Sequence, residues 1–291
     1  MLQFQEANLA EVTALLCDAD GNLFPSEEPA FEASASVTNR FLEELGLSSR
    51  FTASNLRSVA TGKNFRITAL SLAISNGIQL SPDLIRQYPK LYQLNKREEG
   101  EKEQDKRSLT ATRLEWWVEE EKREVITYLH TALSPNPEVI STLKKLEEHY
   151  ILALVSSSAT TRIAASLDTT KLAELFPKHL CFSAEDSLPV ATSKPDPAIY
   201  LFAAQELGLS PNQGLAIEDS VAGAQSAIRA GFSTIGNVMF VKEEERQTRI
   251  ETLRGTGVKA IIFDWSELVT LLEGNSTLKP LSDLRGKFGP Q

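Results

Sequence analysis

The sequence is poor in the residues that build soft-metal sites and crosslinks. Its 291 residues include two cysteines and three histidines. Cys17 and Cys181 both sit in apolar, strand-like runs, so each reads as a buried thiol acting as a small hydrophobe, and a structural disulfide is not expected. His130, His149 and His179 fall in no zinc-like cluster. Basic charge is scarce as well. Thirty Lys and Arg against 39 Asp and Glu give a formal net charge of -9 and a pI near 5.1, which argues against a nucleic-acid footprint and supplies no polybasic membrane patch. There is no stretch of about eighteen consecutive apolar residues of the kind that spans a bilayer, and Met1–Glu6 has no basic segment leading into an apolar one. The expectation is a cytoplasmic protein with neither nucleic acid nor membrane as partner. Oligomeric state has no signature here.

What is present is ordinary globular material, 42% hydrophobic and 24% charged, in a chain long enough for one long domain or two. Val12, Ala14, Leu15, Leu16 and Cys17 run without alternation into Asp18-Ala19-Asp20-Gly21, the pattern of a buried parallel strand ending at a polar crevice. From residue 26 the period becomes helical, and helix is expected to about residue 132, with a break at Val59–Arg66. Residues 95–107 are almost wholly charged or polar and read as a solvated loop or helix face. A strong helix is expected from about Thr110 to Leu133, in which Trp116 and Trp117 read as packing residues. Past Ser134-Pro135-Asn136-Pro137, strand and helix alternate regularly, as in a parallel sheet. The expected fold is therefore α/β: a Rossmann-like parallel-sheet core of residues 1–27 and 134–275, and an inserted α-helical cap, 28–133, too long for a loop. The tail, 276–291, rich in Gly, Pro and charge, is expected to be partly disordered.

The strand ends carry chemistry. Asp18 and Asp20 end the first strand, Ser156 the next, and Glu218 with Asp219 a later one, while Lys194 lies in the proline-stiffened loop Ser193-Lys194-Pro195-Asp196-Pro197. In a parallel sheet those ends share one edge, so acids, a hydroxyl and a cation can meet there. Phosphoryl transfer needs such a set: a nucleophile, a divalent ion, and fixed donors and positive charge around the phosphate. Mg2+ prefers oxygen ligands, and Asp18, the Asp20 backbone carbonyl, Asp219 and the substrate phosphate make a plausible shell.

Four stretches, Asp18-Ala19-Asp20-Gly21, Leu154-Val155-Ser156-Ser157-Ser158, Ser193-Lys194-Pro195-Asp196-Pro197 and Ile217-Glu218-Asp219-Ser220, resemble in order and spacing the motifs of the haloacid dehalogenase-like hydrolases. The resemblance covers roughly residues 10 to 275 and is closest to the helical-cap subfamily of β-phosphoglucomutase-like and phosphoglycolate phosphatase-like proteins. It implies Asp18 as a nucleophile that becomes an aspartyl phosphate and Asp20 as acid and then base. Ser156 and Lys194 would bind phosphate, Asp219 would hold Mg2+, and Glu218 would be either a second ligand or an orienter behind the ligands. Ser156 to Ser158 would also cap the following helix. Ser157, Ser158 and Glu27 join Lys63 and Arg66, which match a substrate-specificity loop, as substrate-binding candidates.

Departures from the family pattern narrow the activity. Cys17 stands where the family commonly has Phe. Pro25-Ser26-Glu27-Glu28-Pro29-Ala30 lacks the histidine that relatives offer to a phosphomutase, which favours a hydrolase. Dehalogenation is disfavoured because its halide leaving group needs no proton, and Asp20 is placed to supply one. The leading expectation is a Mg2+-dependent phosphatase for a small phosphorylated metabolite such as a sugar phosphate or phosphoglycolate. The alternatives are a sugar phosphomutase and a catalytically silent binding protein that uses residues 95–107.

Overall fold

The computed structural model describes residues 1–5, 9–60, 64–95 and 108–275. Lys63, the charged stretch beyond Asn95 and the tail from residue 276, all singled out above, lie outside the described residues.

In chain order, β1 (Leu2–Gln3) and β2 (Ala14–Cys17) precede the insertion. The insertion carries α1 (Glu27–Glu44), α2 (Ala53–Ala60), α3 (Phe65–Ser75), β3 (Gln79–Leu80), α4 (Pro82–Gln87), α5 (Pro89–Asn95), β4 (Ser108–Leu109) and α6 (Ala111–Ala132). Then follow α7 (Pro137–Glu147), β5 (Ile151–Ser156), α8 (Thr160–Thr170), β6 (Cys181–Ser183), α9 (Ala198–Leu207), β7 (Gly214–Glu218), α10 (Val221–Arg229), β8 (Ser233–Asn237), α11 (Glu243–Thr256), β9 (Ala260–Ile262) and α12 (Trp265–Asn275). None of the helices among the described residues is long and apolar enough to cross a membrane.

The chain divides into two compact units: one built from Met1–Ser26 and the chain from Ala132 onward, the other from Glu27–Thr131. These borders shift the expected ones slightly, moving Glu27 into the helical unit and Ala132 and Leu133 into the sheet unit. The reason is local, since α1 begins at Glu27 itself and its first turn belongs to the helix it starts.

The sheet unit holds seven strands in the order β1-β9-β8-β7-β2-β5-β6, all parallel except β1, which runs antiparallel along β9. Every residue of β2 is buried, as are all five of β7, so both faces of the sheet centre are covered. On one face Ala14, Leu16, Ala153, Val155 and Ala216 pack with Ile199, Tyr200 and Ala203 of α9 and Ala227 of α10. β2 lies between β5 and β7, which lead outward to either side, so its carboxyl end marks the switch point where α/β sheets open a crevice.

In the helical unit, Val37, Phe41 and Leu42 of α1 pack with Ala69, Leu70 and Ala73 of α3 and Leu114 and Trp117 of α6. Phe41 and Trp117 meet edge to face, with centroids 5.9 Å apart. α3 starts where Asn64 accepts a hydrogen bond from the Ile67 amide, closing the expected break with an N-cap. Trp117 is buried as expected of a packing residue. Trp116 is not: it is exposed, with the Arg113 guanidinium 4.1 Å above its ring. Consecutive positions on a helix point about 100° apart, so only one of the pair can face the core.

Candidate active site

β2 delivers Asp18 to the sheet edge, where its amide donates to the Ile217 carbonyl, carrying the ladder with β7 one residue further. The chain then turns tightly. The Leu23 amide donates to the Ala19 carbonyl and the Gly21 amide to the Phe24 carbonyl. Gly21 takes φ +79, and a Cβ there would lie 2.4 Å from Oδ2 of Asp219, so glycine is required both by conformation and by the approach of the two acidic loops. The turn is held from behind by buried amides. Asn22 Nδ2 donates to the Asp18 carbonyl at 2.8 Å, Asn237 Nδ2 donates to Asn22 Oδ1 at 2.8 Å, and Trp265 Nε1 donates to the Asn22 carbonyl at 3.2 Å.

Lys194 lies at the centre of the charged cluster. Its Nζ donates to Asp18 Oδ1 at 2.5 Å, Glu218 Oε1 at 2.6 Å and the Val155 carbonyl at 2.8 Å, so all three ammonium hydrogens are used. The Ser157 hydroxyl accepts from the Lys194 amide at 3.0 Å, and Tyr200 donates its hydroxyl to Glu218 Oε1 at 2.5 Å. One cation thus faces two buried carboxylates. Burial pushes the Asp18 carboxyl up to about 8; Lys194 opposes the shift, and the negative charge of Glu218 adds to it. For Lys194 burial acts downward, but attraction to Asp18 and Glu218 outweighs it and holds the ammonium above its ordinary range.

Asp18, Glu218 and Asp219, all buried, can each offer one oxygen within 4.8 Å of the others. This donor set fits a hard divalent cation such as Mg2+: it is all oxygen, and its three carboxylates outnumber the two cations beside them, Lys194 and Arg249. Glu218 Oε2 is buried without a hydrogen-bond partner among the described residues, leaving an acceptor oxygen beside the cluster unused. Asp219 is anchored through its carbonyl, which accepts from Arg249 Nη1 at 2.7 Å.

Asp20 faces a different set. Its Oδ1 accepts from Ser26 Oγ and from Arg162 Nη2 (2.8 Å), and its Oδ2 from Ser158 Oγ (2.6 Å). Burial acts to raise this carboxyl, but the Arg162 charge and the three donors overcome it and hold it below the ordinary carboxylate range. Two carboxyls two residues apart are therefore driven in opposite directions, Asp18 upward and Asp20 downward.

The structure thus gathers Asp18, Asp20, Ser156, Ser157, Ser158, Lys194, Glu218 and Asp219 at one sheet edge. Some expected contacts take another form. Ser156 does not cap α8: its Oγ accepts from the Ser158 amide at 3.0 Å, α8 begins after Ala159, and the Thr160 amide is bonded by Asp186 instead. The three residues between Ser156 and the helix put it out of capping reach. Glu27 and Arg66 belong to the helical unit, where Glu27 pairs with Arg57 at 3.6 Å and Arg66 with Glu115. Both cysteines are free, and burial pushes the thiol of Cys181 up to about 11 and that of Cys17 higher still. Ser26, Arg162, Arg249 and the Asn22–Asn237–Trp265 group escaped the sequence reading. No spacing rule joins them; the one available signal is that Asn22 directly follows the Asp18–Gly21 stretch.

Gly223 provides a sharp test of this packing. A Cβ there would sit 1.7 Å from Glu218 Oε2 and 2.2 Å from its carboxyl carbon. Glu218 is fully buried and tied to Lys194 and Tyr200, so it cannot yield. Gly223→Ala is expected to destabilise the protein by about 1–3 kcal/mol through overpacking and to lower turnover about 10²-fold by displacing Lys194. Gly255→Ala in α11, with nothing within 4 Å, should do neither, and urea midpoints with initial rates distinguish them.

Known proteins resemble this chain in sequence or in fold. A haloacid dehalogenase-like hydrolase domain-containing protein of Arabidopsis thaliana is 33% identical over 45% of this chain and 40% of its own length. An (S)-2-haloacid dehalogenase of Burkholderia cepacia is 34% identical over 35% and 43%, and a phosphoglycolate phosphatase of Pseudomonas putida 33% identical over 34% and 35%. The matches span less than half the length of each of these relatives. The structure of a predicted phosphoglycolate phosphatase from Haemophilus somnus 129pt shares the fold, with a TM-score of 0.62 and 19% identity over 90% of this chain and 99% of that one. Residues 12–231 match the model of the haloacid dehalogenase-like hydrolases, and with the sheet-edge acids and lysine in that family's order, the chain belongs to that family.

Proposed function

We propose that the protein is a Mg2+-dependent phosphatase for a small phosphorylated metabolite, working through an aspartyl phosphate on Asp18. The observation that carries this reading is the division of labour between two neighbouring carboxyls. Asp18 is buried against Lys194, whereas Asp20 is turned to a separate set of donors. In the first step an Asp18 oxygen bonds to phosphorus as the ester P–O bond breaks, and the departing oxygen keeps the electron pair and takes a proton from Asp20. In the second step Asp20 takes a proton from water as that oxygen attacks phosphorus and the Asp18 oxygen leaves.

Lys194 contributes positive charge beside the nucleophile, and the Ser156–Ser158 turn lies at the same edge to receive phosphate oxygens. Asp18 and Asp219, with the Asp20 carbonyl, would hold the cation, which when bound neutralises phosphate charge. Glu218, whose Oε1 is already engaged by Lys194 and Tyr200, fits better as the group that orients Lys194. One relative is a dehalogenase, but a halide departs without a proton, whereas Asp20 suits an alkoxide that needs one.

The test is phosphate release across a panel of sugar phosphates and phosphoglycolate, with Mg2+ and with chelator. Release from a few compounds, lost in chelator and restored by Mg2+, is the expected result. Halide release from 2-haloacids, or an isomerised sugar phosphate without free phosphate, would overturn it.

A further inference from the structure

Arg162 has no part in the motifs described so far, yet it reaches into the same site. It stands in the first turn of α8, where a cation opposes the helix dipole, so the local sequence gives it no stabilising role there. Its Nη2 donates to Asp20 Oδ1 at 2.8 Å, while its Nε is buried with no hydrogen-bond partner among the described residues. The side chain is only 27% exposed. The other donors to Asp20 are hydroxyls on short stems, Ser26 from the turn after β2 and Ser158 from the turn after β5. Three separate segments thus fix both oxygens of one carboxyl, and Arg162 is the one charged member.

We propose that Arg162 is a positioning residue that sets the orientation of Asp20 for proton transfer to the leaving group. The inference rests on the phosphatase reading above. Its logic is geometric. A carboxyl rotates freely about its last bond, and proton transfer to a departing oxygen needs it within hydrogen-bond reach at the moment the P–O bond breaks. A guanidinium delivered from a rigid helix joins Ser26 in clamping Oδ1, which leaves Oδ2, held by the Ser158 hydroxyl alone, as the oxygen that serves the leaving group.

The test uses the leaving group itself. The value of kcat/KM for an aryl phosphate reports the first transfer, to Asp18, and is blind to the later hydrolysis. p-Nitrophenyl phosphate departs without proton assistance, and phenyl phosphate benefits from it. Arg162→Gln is expected to lower kcat/KM for phenyl phosphate about 10²-fold, the lower end of what a placed general acid contributes, and that for p-nitrophenyl phosphate less than about threefold. Arg162→Lys, which keeps a cation on a similar stem, should recover part of the phenyl phosphate rate. It also carries the test if the Gln variant fails to fold, as thermal unfolding would reveal. Equal losses on both substrates in either variant would overturn the positioning role while leaving the phosphatase reading intact. Absence of hydrolysis of both esters by the unaltered protein with Mg2+ would overturn the two together.

Discussion

Replacing Asp18 by asparagine is expected to lower phosphate release by a factor on the order of 10⁴ or more, the scale seen when a nucleophile is removed, with the fold retained. Asparagine has the shape of aspartate but cannot form the acyl phosphate. The fold should survive because asparagine keeps the size of Asp18 and a side-chain oxygen that can accept from Lys194 Nζ, while burial, which pushes the Asp18 carboxyl up to about 8, penalises the charged form that the amide replaces. The sign of the pH dependence follows. A carboxyl whose folded value lies above its unfolded one contributes stability that is present in full below the ordinary carboxylate range and is lost as pH rises through about 8. In chelator, the asparagine variant should therefore exceed the unaltered protein in melting temperature by more near pH 9 than near pH 5. Added Mg2+, which binds the ionised acid, should raise the melting temperature of the unaltered protein more than that of the variant. Initial rates and thermal unfolding at the two pH values check both halves; unaltered turnover in the variant would remove Asp18 from the nucleophile's role.

Lys194→Met should have the largest effect on stability. The ammonium is buried and holds Asp18 and Glu218 together, so its loss leaves two buried acids without their cation. Breaking a buried ion pair from one side costs about 3–5 kcal/mol, because the remaining charge is stranded. The loss should depend on pH. Without Lys194 the Asp18 carboxyl rises further, the folded state binds more protons than the unfolded chain, and stability falls with increasing pH. The deficit measured by urea unfolding should be smaller at pH 5 than at pH 8. An equal deficit at both would mean that lost packing of the lysine stem, and not stranded charge, is what destabilises the variant.

The sheet unit was legible because buried parallel strands advertise themselves as continuous apolar runs. Ala14–Cys17 and Ile151–Ser156 are such runs, each followed by polar residues that the topology then brings to one edge. α9 occupies the apolar run Ala198–Leu207 and is stopped by Gly208 in the left-handed region, a stop signal the sequence itself carries. α11 was missed because Glu243–Thr256 is mostly charged and buries only Ile250 and Leu253, too few for a visible stripe. β1, β3 and β4, two residues each, carry no period at all. In the site, the acids and Lys194 were legible as types at strand ends. The partners that decide their protonation were not. Arg162 in a first turn and Tyr200 in an apolar helix look locally like surface charge and core aromatic, and only tertiary placement joins them to Asp20 and Glu218.

The central position of β2 also bears on how the chain assembles. Ala14 pairs with Ile151 on one side and Gly214 on the other, so this strand finds no sheet neighbour until the whole insertion, and then most of the remaining chain, is available. Closing such long loops costs entropy before any pairing compensates. The helical unit is continuous in sequence and has its own apolar core, so it can collapse while β2 is still unpaired. During synthesis the apolar segment Ala14–Cys17 therefore waits for its neighbours, and the strand that carries Asp18 gains its second partner only once Gly214–Glu218 has been made.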